Sequence, residues 1–218
     1  MMLASRQAVV LENDQIAPGA FMLRFKRNFA FEPGQVIGIA VDRQTEPRLY
    51  SIASGNKAEL LDILYTVKPG GLLTPEMARL KAGDRLFHTS PFGKFNSGKG
   101  KALWIATGTG IAPFASMAFS GLGAEKTLIY GNRDRHHLYF HSQLQEVLDR
   151  GKYFPCTSRE EAPGAFHGRV SDFIRSHQGL QTDLPCYICG SAEVVVDVRD
   201  QLIALGLPFD RIFAEIFF

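Results

Sequence analysis

Residues 7–11, 21–26, 35–41, 48–53, 60–67 and 85–89 are short apolar or alternating runs. Turn-forming residues separate them: Pro18-Gly19, Pro33-Gly34, Gly55-Asn56, Pro69-Gly70-Gly71 and Gly83-Asp84. Side chains alternate faces along a strand, so closely spaced runs of this kind predict a closed antiparallel barrel or sandwich. One helix is expected within it. Thr74 fits an N-cap, Pro75 fits the first helical position, and Met77 with Leu80 supplies apolar spacing before Gly83.

From residue 102 the pattern changes. Strand-type runs at 102–106, 127–130, 153–157, 187–189 and 211–216 alternate with helix-type runs at 113–120, 137–150, 171–177 and 192–205. That alternation implies a parallel sheet with helices on both faces. The polar, Gly-rich stretch Asn96-Ser97-Gly98-Lys99-Gly100-Lys101 reads as a linker. It divides the chain into 1–97 and 98–218.

Composition narrows the class. A chain of 218 residues buries enough core to need no metal or disulfide staple. With 45% hydrophobic and 21% charged residues it is globular rather than disordered. Its net charge of +2 is too small for a nucleic-acid protein defined by bulk charge. Three cysteines are too few for a secreted disulfide framework. Ser5, Arg6 and Gln7 interrupt the N-terminal apolar residues, unlike a signal peptide, and no apolar run approaches the ~20 residues that span a bilayer. A soluble cytoplasmic protein without membrane contact is expected.

Two segments suggest chemistry. Ala106-Thr107-Gly108-Thr109-Gly110-Ile111-Ala112-Pro113-Phe114 follows the first strand of the second half and opens a helix. Its glycines allow a tight turn close to a pyrophosphate, and a helix N-terminus offers free N–H groups. Pro113 suits the first turn. The third glycine of the six-residue dinucleotide fingerprint is missing, so on spacing alone an ordinary Gly-rich turn fits equally well. In Arg48-Leu49-Tyr50-Ser51-Ile52-Ala53-Ser54, Arg48 and Tyr50 share one strand face. A guanidinium beside a phenol suits a phosphate and a planar ring. A half-buried strand with a surface arginine is the plainer alternative.

Together these segments resemble the ferredoxin–NADP reductase family of flavoproteins. Arg48-x-Tyr50-Ser51, Gly70-Gly71-Leu72-Leu73-Thr74, Thr107 to Pro113, and Cys189-Gly190-Ser191 match the family pattern in order, across nearly the whole chain. The resemblance implies an antiparallel β-barrel flavin-binding domain followed by an α/β parallel-sheet NADP-binding domain. It implies hydride transfer between NADPH and bound FAD, with single electrons passing to or from a small carrier such as ferredoxin or flavodoxin. Free-flavin reduction, or a role as the electron-entry subunit of a larger redox complex, are the alternatives.

The resemblance also implies residue roles. Tyr50 packs against the isoalloxazine, within the cofactor-binding stretch Arg48, Leu49, Tyr50 and Ser51. Arg48 and the N–H groups of Gly71, Leu72, Leu73 and Thr74 hold the flavin pyrophosphate, with Thr74 capping a helix. The Ser51 hydroxyl sits near flavin N5; strict alternation would place it opposite Tyr50, so this role rests on the family alone. Thr107, Gly108, Thr109, Gly110 and Pro113 form the nucleotide turn, and Cys189 with Gly190 lies beneath the nicotinamide. Glu215 matches a carboxylate that relays a proton to the reduced flavin. Phe217 or Phe218 matches a terminal aromatic that covers the flavin; a final strand that merely completes the core is the alternative.

Nucleotide choice turns on Thr157-Ser158-Arg159-Glu160 and Gly168-Arg169. A 2′-phosphate needs charge and donors, which Ser158, Arg159 and Arg169 supply; a bare ribose prefers an acidic acceptor, for which Glu160-Glu161 stands ready. The balance favours NADPH over NADH. Arg133 and Arg135 either add to this site or form a solvated loop. Cys186 and Cys189 lie three apart on a strand and face opposite ways, with only Cys156 besides, so no metal and no intrinsic iron–sulfur cluster is expected. His136, His137 and His141 read as a solvated face. Lys26, Lys57, Lys68, Lys94, Lys99 and Lys101 suggest a basic rim that would steer an acidic carrier.

Overall fold

Apolar residues at alternating positions build the first sheet from β1 (Arg6–Ala17), β2 (Ala20–Lys26), β3 (Val36–Ala40), β4 (Arg48–Ser51), β5 (Leu60–Thr66) and, after the short helix α1 (Thr74–Met77), β6 (Arg85–His88). The structure, a computed structural model, describes residues 4–177 and 179–217. The chain divides into two compact units, Met1–Asn96 and Ser97–Phe218.

In the first unit the strand order is β4-β3-β6-β1-β2-β5. The sheet curls until its ends meet. An antiparallel bridge joins Ile52 to Ile63, and the Ala53 N–H donates to the Asp62 carbonyl at 2.9 Å. Inside lie Val10, Leu23, Phe25, Ile37, Ile39, Ile52, Leu61, Ile63 and Leu86. Strand β1 runs six residues beyond the expected end at Leu11. Residues 12–15 of it are polar and largely exposed, so no apolar pattern marks them; pairing with β2 across the Pro18-Gly19 turn holds them in the ladder.

Thr74 does not cap α1. Leu73 occupies the cap position, in helical conformation and without a side-chain cap bond. The Thr74 hydroxyl instead accepts from the Lys68 N–H at 2.9 Å, closing the Gly70-Gly71 loop. A hydroxyl can serve the preceding loop or the first helical turn, and here the loop takes it.

His88 is fully buried between Phe25 and Phe29, with ring centroids 5.5 and 5.3 Å away. Its Nδ1 lies 2.8 Å from the Thr89 carbonyl, so Nδ1 carries the proton, and its Nε2 has no hydrogen-bond partner among the described residues. Burial pushes its pKa below the ordinary histidine value. The unfolded chain therefore binds a proton near pH 6.5 that the folded chain refuses. This contribution to stability is complete above that pH and is lost on acidification, by up to about 1.4 kcal/mol per pH unit. We expect His88→Phe to flatten the fall in melting temperature between pH 7.5 and 5.5. An unchanged slope would show that other groups carry it.

The second unit comprises β7 (Ala102–Thr107), α2 (Ala112–Met117), β8 (Lys126–Asn132), α3 (His141–Val147), β9 (Tyr153–Thr157), β10 (Phe166–His167), α4 (Val170–Ser176), β11 (Cys186–Ser191), α5 (Ala192–Ala204) and β12 (Ile212–Phe217). Its sheet, ordered β10-β9-β8-β7-β11-β12, is parallel throughout. The chain winds outward from β7 to β10, then returns to place β11 on the other side of β7. Ligands of such sheets bind beyond the carboxyl ends of the strands, where the winding reverses.

Two helices differ from expectation. A 3-10 turn over Gly108–Ile111 precedes α2, and the chain beyond it kinks at Gly121, whose φ is 82°. The run at 137–150 is broken because Phe140 adopts a left-handed backbone with φ 58°, which leaves a 3-10 turn at Arg135–His137 and a shorter α3. Lys126 is fully buried. Its Nζ donates to the carbonyls of Gly98, at 3.0 Å, and Gly100, and it lies 5.8 Å from the Trp104 ring. The Gly-rich segment that reads as a linker is thus pinned at two carbonyls. Among the described residues no helix is long and apolar enough to cross a membrane.

Candidate functional site

The carboxyl ends of β7, β8 and β9 open into a cleft of about 630 Å³. Thr107 and Gly108 line it from β7, Gly131 and Asn132 from β8, and Ser158 from the turn after β9. Gly168, Arg169, Val170 and Ser171 close it at the start of α4, and Glu193, Val194 and Asp197 face it from the start of α5.

Its floor requires glycine. A Cβ on Gly110 would stand 2.3 Å from the Cys189 carbonyl oxygen, and one on Gly190 would stand 2.3 Å from Thr107 Oγ1. The turn after β7 therefore meets the end of β11 closely, Gly110 against backbone and Gly190 against the Thr107 side chain. Gly110, Pro113, Cys189 and Gly190 do not line the cleft; they let its walls approach one another.

The turn carrying Ser158 is held from several sides. The Ser158 N–H donates to the Asn132 carbonyl at 3.0 Å and the Arg159 N–H to the Arg133 carbonyl at 2.8 Å. The buried Thr157 hydroxyl donates to the Glu160 carbonyl at 2.6 Å. Glu160 itself is occupied: its carboxylate accepts from the Arg135 N–H at 3.0 Å and faces the Arg135 guanidinium at 3.6 Å. Glu161 lies 3.5 Å from His167. The acidic acceptors of this turn thus have partners of their own. Arg169 is exposed at the start of α4, where its N–H donates to the Asp172 carboxylate at 2.8 Å. Arg133 and Arg159 are exposed, form no ion pair among the described residues, and do not line the cleft.

In the first unit, β4 pairs along its length only with β3. Arg48 and Tyr50 stand opposite Ile39 and Ile37, which are both core residues, so the two share a face. Tyr50 is half-buried, edge-on to Tyr65 at 6.3 Å, and burial pushes its phenol pKa up to about 12. Arg48 is exposed, and its guanidinium lies 3.9 Å from Glu46. Ser51 is buried on the other face. Leu49 is 52% and Leu72 89% exposed, whereas Leu73 packs into the core. Leu49 and Leu72 are thus large apolar side chains standing in solvent, a feature that suits an apolar ligand.

Cys189 and Glu215 are in register on β11 and β12, with Sγ 4.0 Å from the carboxylate. Burial, and the nearby carboxylate, push the Cys189 pKa well above its ordinary value, so it is a thiol. Phe217 is half-buried and in register with Ser191. Phe218 lies outside the described residues.

Comparison with known proteins gives the family. Residues 104–200 match the oxidoreductase NAD-binding domain. Over 222 residues the chain is 32% identical to the ferredoxin–NADP reductase of Azotobacter vinelandii, covering 86% of this chain and 84% of that protein. The chain belongs to the ferredoxin–NADP reductase family. It is also 30% identical over 227 residues to reductase component 2 of the terephthalate 1,2-dioxygenase of Comamonas sp, covering 96% of this chain and 67% of that protein. The fold matches a ferredoxin NADP+ reductase from Neisseria gonorrhoeae, solved with bound FAD and NADP, at a TM-score of 0.85 and 20% identity, covering 98% of each chain.

As a ferredoxin–NADP reductase family member the chain is an oxidoreductase with a curled antiparallel sheet and a parallel one. Sequence reasoning missed Glu193 and Asp197 in the cleft. Their signal was present: two carboxylates four apart share a helix face, directly after Cys189-Gly190-Ser191.

Proposed function

We propose that this member of the ferredoxin–NADP reductase family moves electrons between NADPH and a small one-electron carrier through bound FAD. The observation that carries this reading is the cleft beyond β7, β8 and β9, with Ser158 and Arg169 at its edge and Glu160 withheld by Arg135. The residues fit the two groups. Gly108 lines the cleft with open space where a Cβ would stand, so a pyrophosphate can approach its backbone, and Arg48 with Tyr50 supplies a cation and a neutral ring for a flavin. When bound, FAD exchanges hydride with nicotinamide and releases electrons singly.

The chain's own residues do the rest. Residues 1–97 hold the flavin, through Arg48, Leu49, Tyr50, Ser51 and the Gly71-Leu72-Leu73-Thr74 turn. Residues 98–218 hold the nucleotide, with Arg133, Arg159 and Arg169 serving the 2′-phosphate. Cys189 offers an uncharged thiol, and Glu215 accepts and returns a proton. Phe217 and Phe218 gate the nicotinamide. The protein works in the cytoplasm and meets ferredoxin or flavodoxin through its lysines. A second reading, the electron-entry component of an oxygenase, is favoured by the dioxygenase reductase components among its relatives.

An absorbance spectrum of the purified protein, followed by anaerobic titration with NADPH and then NADH, tests the reading. A colourless protein that never binds flavin would end it. We expect Tyr50→Ala to lose about 1 kcal/mol of stacking and Arg48→Ala a charge-assisted contact of ~1.5–3 kcal/mol. Both variants then shed flavin on dialysis while staying folded. Full retention in both would remove the assignment.

A further inference from the structure

Glu160 and Glu161 are the residues of the Ser158 turn whose charge opposes a phosphate, and Glu160 is the nearer to Ser158 along the chain. It stands two positions from Ser158, which lines the cleft. Both its carboxylate oxygens face Arg135: Oε2 accepts the backbone N–H at 3.0 Å and Oε1 lies 3.6 Å from guanidinium Nε. The backbone bond holds the carboxylate at Arg135, and the guanidinium beside it offsets part of its charge. Other bonds already shape the turn, from Thr157 to the Glu160 carbonyl and from the Ser158 and Arg159 amides to the β8 end. The side chain of Arg135 therefore adds charge compensation rather than shape.

We propose that Arg135 is a specificity-determining residue that favours NADPH without touching it, by neutralising Glu160 beside the 2′-phosphate position. The inference rests on the reading that this cleft binds the 2′-phosphate. Without the guanidinium, an uncompensated carboxylate would repel the phosphate dianion and would stand available to a ribose 2′-hydroxyl. NADPH loses and NADH gains or holds, so discrimination falls even where overall turnover changes little. The pair is partly exposed, with 61% and 34% side-chain exposure, which limits the effect to that of a screened surface charge.

The test is the ratio of kcat/KM for NADPH to that for NADH, measured on the holoenzyme at low and high salt. Wild type, Arg135→Ala, Arg135→Gln, Glu160→Gln and the double variant Arg135→Ala with Glu160→Gln are compared, each with a thermal melt. Arg135→Ala and Arg135→Gln should lower the ratio about fivefold, through KM of NADPH and less so at high salt. The double variant should return the ratio towards that of wild type, because the charge left uncompensated has gone. A ratio unchanged in both Arg135 variants, or a double variant no better than Arg135→Ala, would overturn the proposal. Arg169→Ala is run alongside. If it lowers the ratio while the Arg135 variants do not, the neutralisation is wrong and the phosphate site stands. If wild type prefers NADH and Arg169→Ala leaves the ratio unchanged, the phosphate site is wrong and the proposal falls with it.

Discussion

Gly110→Ala is expected to destabilise the second unit and abolish nucleotide binding. The added Cβ would stand 2.3 Å from the Cys189 carbonyl oxygen, 2.7 Å from its carbon and 3.0 Å from the Gly190 nitrogen. All three are backbone atoms of β11, and none can rotate away. Either the 3-10 turn lifts off the sheet or β11 shifts against β7, its hydrogen-bonded neighbour. Overpacking of this kind costs about 1–3 kcal/mol. A shift of either wall also displaces Thr107 and Gly108, both in the cleft lining. Gly190→Ala supplies the contrast. Its Cβ would meet Thr107 Oγ1 at 2.3 Å, a side-chain atom that can turn aside, with the next atom 3.5 Å away. We expect a smaller loss there, recovered largely by adding Thr107→Ala. A Gly110→Ala protein that melts with wild type and titrates normally with nucleotide would refute the close-approach argument.

What the chain revealed before its structure follows the physics of each element. Strands bounded by Pro-Gly and Gly-Asp turns were legible, because those turns need residues with special backbone freedom. The parallel sheet was legible because β7, β8 and β11 are buried on both faces and read as continuous apolar runs. The outer part of β1 was not, since its residues are polar and only the ladder to β2 holds them. Nor was the two-residue β10, too short for any periodicity. Phe140 gave no warning of its left-handed backbone, a conformation usually left to glycine. Lys126 gave none of its burial: a lysine is assigned to solvent unless its carbonyl partners, here 26 and 28 residues away, are known.

The site shows the same division. Thr107, Gly108, Ser158 and Arg169 were found from local motifs, and the fold does bring them to one cleft. The occupation of Glu160 was invisible, because Arg135 lies 25 residues earlier and meets it only through the pairing of β8 with β9. On the chain alone Glu160 argued for a bare ribose. In the structure that argument loses force.

Arg169→Ala should therefore weaken NADPH use about ten- to hundredfold in kcat/KM, with little change for NADH. Arg169 is the arginine that both lines the cleft and leaves its guanidinium exposed. Its backbone N–H, not its side chain, makes the 2.8 Å bond to Asp172 that starts α4. Alanine keeps that bond, so the helix survives and the loss is that of the guanidinium alone. A charge-assisted contact of ~1.5–3 kcal/mol sets the stated range. Arg159→Ala should have the smaller effect of the two, since Arg159 stands outside the cleft lining. The nearby acidic groups set the direction for NADH. Glu193 and Asp197 face the same cleft, so removing a cation leaves it more negative, which a 2′-hydroxyl tolerates and a 2′-phosphate does not. Steady-state kinetics with both nucleotides at one ionic strength decide the matter. Equal losses with NADPH and NADH would assign Arg169 to the part the two cofactors share, the pyrophosphate, and would move the 2′-phosphate site elsewhere in the turn.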